Sequence, residues 1–243
     1  MVLLKANIIE KLQKDILRLQ GFKTAANIVK TGFGLGIINY AFPNHCFPVG
    51  AIHEFICSGN EKKAAADGFI TCLVSAVLKN NSPIIWIGFS QKIFPPALMM
   101  FGISPDKIIF INVKNRKEVL WVMEESLKCE GIAAVIGELK EISFTESRRL
   151  QLAVEQSRVT GFIIRNNPVN KGINACVSRW EISHAASINE DGLPGVGFPR
   201  WNVSLLKIRN GKPGYWTLEW SEGKFKIIND LVLVPSVQKL KVG

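Results

Sequence analysis

The stretch FPVGAIHEFICSGNEKKAAADGF, residues 47–69, decides how the rest of the chain is read. Ala51 to Cys57 is a short, mostly apolar run and predicts a strand. Ser58, Gly59 and Asn60 make a tight turn, with Asn60 as candidate cap of a helix from about Glu61 to Leu78. Strand, turn and helix are the frame of a phosphate loop. That loop needs G-x-x-x-x-G-K-[S/T], so that bare backbone N–H groups wrap phosphates and a hydroxyl reaches Mg²⁺. Here Cys57 and Lys62 occupy the glycine positions, Lys63 the lysine, and Ala64 replaces the hydroxyl. The frame is present and most of its chemistry is missing. A lysine in a first helical turn is ordinarily solvated, so Lys63 alone is weak evidence for nucleotide binding.

Working outward, PIIWIG (83–88), IIFINV (108–113), IAAVIG (132–137) and GFIIR (161–165) are apolar runs of the kind found in strands buried on both faces. Helical segments lie between them. Pro95 and Pro96 open a short helix through Met100. Residues 115–129 carry Val119, Leu120, Val122 and Leu127 at amphipathic spacing. Ser143 and Glu146 form a capping box for a helix to about Thr160. This alternation predicts an α/β fold with a mostly parallel sheet flanked by helices. After Asn166 the rhythm changes. NACVSRWEIS (174–183), WNVSLLKIR (201–209), YWTLEW (215–220) and FKII (225–228) predict antiparallel C-terminal strands on one sheet edge.

The Gly-rich stretch 31–50 lacks the strand and helix of a dinucleotide fingerprint and reads as turns. Residues 185–200 read as a long connection. Upstream, residues 6–20 predict an amphipathic helix with Ile8, Ile9, Leu12, Ile16 and Leu19 on one face. That face docks on its own domain, a neighbouring protomer or a partner. The expected division is an N-terminal helix and linker (1–30), a core domain (31–230) and a C-terminal tail (231–243).

With 243 residues, 47% hydrophobic and 21% charged, the chain suits one large domain. No apolar run approaches the ~18–20 residues of a membrane span, and no signal-peptide pattern opens the sequence. Five cysteines form no C-x-x-C pair and read as buried free thiols of a reducing cytoplasm. A net charge of +10 favours acidic partners, nucleic acid or protein, although the charge is dispersed.

ATP hydrolysis on this plan needs an acid ending the Walker-B strand and a water-orienting carboxylate on the strand beside it. The first position falls on Gly137, with Glu138 one residue late and expected on the opposite face. The second strand ends Gly88-Phe89-Ser90-Gln91, without a carboxylate. With the phosphate loop, that makes three independent losses, so no catalysis and no cofactor are expected. His45, His53 and His184 are scattered and fit no metal site, and His53 reads as a core or edge histidine. Ser58 lacks a G-x-S-x-G setting. Trp180, Trp201, Trp216 and Trp220 pack a sheet face more readily than they stack bases.

These segments, in this order, resemble the RecA core and, more closely, the ImuA family of SOS mutagenesis accessory proteins. The resemblance spans about residues 45–228. FPVGAIHEF looks like the entry to the RecA core strand, GIAAVIG like its Walker-B strand, and SLLKIRNGKPGYWTLEW like its late hairpin. GIINYAFPNHCFPVGAIHEF with the N-terminal helix is similar to ImuA proteins. The resemblance implies a RecA-like core with a degenerate nucleotide site at Lys63 and Glu138. It implies an interface role for the basic pair Lys207 and Arg209, and it aligns the connection carrying Lys171 with a DNA-gripping loop. The partners it implies are a Y-family-like, ImuB-type polymerase homologue with a β-clamp contact, an error-prone replicative-type polymerase, and RecA. It also leaves room for weak DNA binding and a homo-oligomer, in the cytoplasm and at the nucleoid when active. Ile9, Leu12, Ile16 and Leu19 are candidate partner contacts. The competing readings are a SulA-like cell-division inhibitor, a weak ATPase using Lys63 and Glu138, and a RecA-like DNA-binding filament.

Overall fold

The computed structural model describes residues 35–77, 82–90, 93–187 and 197–229, together with Leu12. Ile9, Ile16 and Leu19 lie outside the described residues, as do the proposed 1–30 segment except Leu12 and the 231–243 tail. Leu12 is helical and more than half exposed.

Among the described residues, nine strands form one sheet: β1 Ile52–Cys57, β2 Ile84–Gly88, β3 Ile108–Asn112, β4 Ala134–Glu138, β5 Thr160–Asn166, β6 Ser178–Ala185, β7 Arg200–Ile208, β8 Gly214–Ser221 and β9 Lys224–Asn229. Their order is β3-β2-β4-β5-β1-β6-β7-β8-β9. Strands β3 through β6 pair in parallel, and β7 to β9 add an antiparallel edge. The expected α/β class with antiparallel C-terminal strands is what the chain adopts. One assignment changes: β6 is parallel to β1, so the antiparallel extension begins one strand later than expected. No helix precedes β6, which removed the cue for a parallel strand. Residues 167–177 carry the chain back instead.

Among the described residues, three helices cover the sheet: α1 Asn60–Val77, α2 Arg116–Leu127 and α3 Phe144–Ser157. The capping box predicted at α3 is present, with Ser143 and Glu146 each bonding the other's backbone N–H. Alternation along the strands separates two cores. Phe55, Ile136, Phe162, Trp180, Trp201 and Leu218 share a buried cluster with Phe69 and Leu73 of α1. Ile52, Val135 and Ile163 instead meet Val119 and Met123 of α2 and Leu150 and Val154 of α3. The turn-like 31–50 region contains two short 3-10 helices, Gly36–Ala41 and Pro43–His45. Leu35, Ile38, Phe42 and Phe47 from it join the α1-side core, and Phe42 packs edge-on to Phe47 at 5.4 Å between ring centroids.

Candidate functional site

β1 ends at Cys57 and α1 opens at Asn60, so Ser58 and Gly59 alone bridge them. Gly59 has φ 89°, in the left-handed region open to glycine. Its N–H donates to Asn167 Oδ1 at 2.8 Å, and Asn167 N–H donates to Cys57 O at 2.8 Å. Lys63 N–H already makes a helical bond to Gly59 O, 3.1 Å. A phosphate loop must leave N–H groups converging on empty space. This turn is too short to form that concavity, and the Gly59 donor is taken by the chain itself.

Lys63 is not solvated, contrary to expectation. Its side chain is 11% exposed, and its Nζ lies 2.8 Å from Asp67 Oδ2 and 3.0 Å from Glu138 Oε1. The Trp86 indole N–H also donates to Glu138 Oε1, at 3.3 Å. The expectation that Glu138 faces away is also overturned. Ala134 and Ile136 point into the α1-side core, and Glu138 continues that face. Gly137 belongs to the other face: a Cβ there would lie 2.0 Å from Met123 Sδ. The aspartate position inferred from sequence thus has no room for an aspartate, and its neighbour supplies the acid facing Lys63.

Burial works against the Lys63 charge, but the Asp67 and Glu138 carboxylates beside it carry its pKa above the ordinary lysine value. Burial raises the Asp67 carboxyl to about 6, against the pull of Lys63, with Glu138 adding to the rise. Asp67 Oδ1 is buried without a partner. Burial, then the Asp67 charge, pushes the Cys57 thiol up to about 12, which leaves it inert. Beside Glu138, Trp86, Gly88, Ser90 and Asn112 line a cavity of about 10 Å³. That is room for about one water. Lys62, next in line, pairs with Glu181 at 2.7 Å.

A second ionic network lies on the opposite face of the sheet and was not anticipated. Glu54 of β1 is fully buried and receives Arg165 Nη1 of β5 and Arg179 Nε of β6, each at 2.5 Å. Arg165 Nη2 also reaches Glu141 Oε2 at 2.6 Å. The sequence held a cue in the charges within AIHEFIC and ACVSRWEI and at the end of GFIIR. A charge inside an apolar strand needs an ionic partner when the strand is buried.

The other candidate residues are placed as follows. Lys171 is exposed, 4.0 Å from Glu181 Oε2. Lys207 Nζ donates to Asn174 O at 3.4 Å, and Arg209 Nη2 to Ala175 O at 3.2 Å. Arg209 lies just past the end of β7, so the basic pair is not wholly on the strand. Both contact the same connection as Lys171 but lie away from Lys63 and Glu138. His53 is a satisfied core histidine. The Trp180 indole N–H donates to Ser178 Oγ at 2.6 Å, and the Ser178 hydroxyl donates to His53 Nδ1 at 2.6 Å. His53 Nε2–H then donates to Pro48 O at 2.8 Å. Burial lowers its pKa to about 4, against the Pro48 bond. Trp180, Trp201, Trp216 and Trp220 are buried in the sheet face. Four cysteines are buried, but Cys129, just past α2, is exposed. Among the described residues, no helix is long and apolar enough to cross a membrane.

Fold and site together define a mixed α/β protein whose strand–turn–helix entry is closed by its own ion pairs. No family model matches the chain. Protein ImuA of Caulobacter vibrioides is 29% identical over 216 residues, covering 82% of this chain and 88% of that protein. The chain is thus similar to ImuA proteins over most of its length. Weaker, partial matches reach the cell division inhibitor SulA. The Photorhabdus laumondii protein is 28% identical over 106 residues, 44% of this chain and 60% of the relative. The Yersinia pestis protein is 25% identical over 130 residues, 53% and 76% respectively.

Proposed function

We infer that the chain is a non-catalytic, RecA-like accessory protein of damage-induced, error-prone translesion DNA synthesis. It acts as a scaffold through protein contacts. Similarity to ImuA over most of the chain supports the mutagenesis role. The observation that carries the non-catalytic reading is the occupied nucleotide frame. Lys63 is held by Asp67 and Glu138, and Gly59 N–H is held by Asn167. For Lys63 to reach a phosphate, two buried ion pairs must break, leaving carboxylates beside the incoming anion. The Cβ of an aspartate at 137 would meet Met123 rather than Mg²⁺.

The partners of this reading are an ImuB-type polymerase homologue, an error-prone replicative-type polymerase and RecA. Co-purification of the full chain with these three tests it, with stable complexes expected in the absence of ATP. A chain that captures none of them, or that turns over ATP in a Lys63-dependent way, overturns it. The partial SulA alignments favour a second reading, a cell-division inhibitor. Binding to a tubulin-like division protein, with no polymerase partner, would establish that one instead.

A further inference from the structure

The connection between β5 and β6, residues 167–177, is fixed more firmly than a solvent loop requires. Arg179 Nη1 and Nη2 donate to the carbonyls of Lys171 at 2.7 Å and Gly172 at 2.6 Å. Arg165 Nη2 donates to Asn170 O at 2.6 Å, and Val169 N–H donates to Glu141 Oε1 at 2.5 Å. At the far end, Ala175 N–H donates to Ser147 Oγ at 3.0 Å. Glu54 ties both arginines together beneath the connection. Apolar packing often stabilises a core as well as buried ions do. What this network adds is a single backbone path.

That path turns two apolar side chains into water. Val169 is 85% exposed and Ile173 84%. The surrounding cations are Lys140, Lys171, Lys207 and Arg209, all exposed. Among the described residues, no carboxylate lies within ion-pair distance of Lys140, Lys207 or Arg209, and Lys171 only reaches Glu181 at 4.0 Å. Fixed backbone, aliphatic anchors and a positive rim together describe a recognition surface ordered before its ligand arrives.

We propose that residues 167–177 form a docking surface for an acidic protein segment carrying apolar side chains. Val169 and Ile173 are the anchors and Lys140 and Lys171 the charged rim. This rests on the scaffold reading above. Single-stranded nucleic acid is a poorer fit, because bases stack on aromatic side chains and residues 167–177 contain none.

The test uses the full chain and a fluorescein-labelled peptide of alternating Glu and Leu. Poly-glutamate of equal length and an oligo-dT strand are comparison probes. The Glu-Leu peptide is expected to bind more tightly than either. The double variant Val169→Ser/Ile173→Ser should weaken it at least tenfold. Lys140→Glu/Lys171→Glu should weaken it and flatten its salt dependence. These four side chains are exposed, so unchanged unfolding midpoints are expected. Arg179→Gln leaves both anchors in place, yet should weaken the peptide and speed amide exchange at residues 171–173. Equal binding by parent and double variant overturns the proposal, as does absence of binding. So does anchor-dependent binding of oligo-dT alone, or a concentration-dependent dimer lost in the double variant. The scaffold reading fails separately. Polymerase capture untouched by Val169→Ser/Ile173→Ser removes this surface and keeps the function. Peptide binding here without polymerase capture does the reverse.

Discussion

Lys63 sits between two carboxylates with little water around any of the three. Lys63→Ala would leave Asp67 and Glu138 uncompensated, at a cost of about 3 kcal/mol, measurable by urea unfolding at neutral pH. Asp67 and His53 titrate in the same acid window with opposite effects. His53 has a folded value of about 4 against an ordinary 6.5, so the unfolded chain takes the proton first. Its contribution, roughly 3 kcal/mol at most, is present above pH 6.5 and lost as pH falls toward 4. Asp67, at about 6 against 3.8, is protonated first in the folded chain, so the cost of burying its charge is relieved as pH falls through 6. Relative to the parent, Asp67→Asn should therefore lose more stability between pH 6.5 and 4, and His53→Gln less. Unfolding midpoints at pH 7 and 4.5 measure both differences, and a common shift of the two variants would contradict these assignments. In the sequence Lys63 reads as solvated, although its four-residue spacing from Asp67 permits a helical ion pair. Their meeting with Glu138 is not visible there, because it depends on how β4 sits against α1.

At the scale of elements, local signals were legible and relative placement was not. The α3 cap was read directly from Ser143 and Glu146, a pair needing only three residues of helix to meet. Ser143→Ala should cost about 1 kcal/mol, read as a lowered unfolding midpoint. The end of β4 was misread because alternation fixes which residues share a face but not which face meets α1. Ala134 and Ile136 settle that. Gly137→Asp, which places an aspartate where a Walker-B strand would carry one, should destabilise by about 1–3 kcal/mol through its clash with Met123. It should confer no binding of ATP–Mg²⁺, and calorimetry checks this. β6 was placed in the antiparallel group because no helix precedes it. The Glu54–Arg165–Arg179 network and the pinned connection take the place of that helix.

Across the whole molecule, the parallel part of the sheet brings the ends of β1, β2 and β4 toward one edge, where α1 begins. In a nucleotide-binding protein of this plan that edge holds phosphate and metal. Here a lysine, two carboxylates and an indole N–H bond one another, and the Asn167 amide oxygen accepts from the Gly59 N–H. The β5–β6 connection starts at this turn, through Asn167, and Lys171 shares Glu181 with Lys62, while Lys207 and Arg209 meet the connection at its far end. The central claim is that the frame is closed to nucleotide, and calorimetric titration of the full chain with ATP–Mg²⁺ to millimolar concentration tests it most directly. No saturable heat is expected for the parent and none for Lys63→Ala. A micromolar site in the parent that disappears in Lys63→Ala would contradict it.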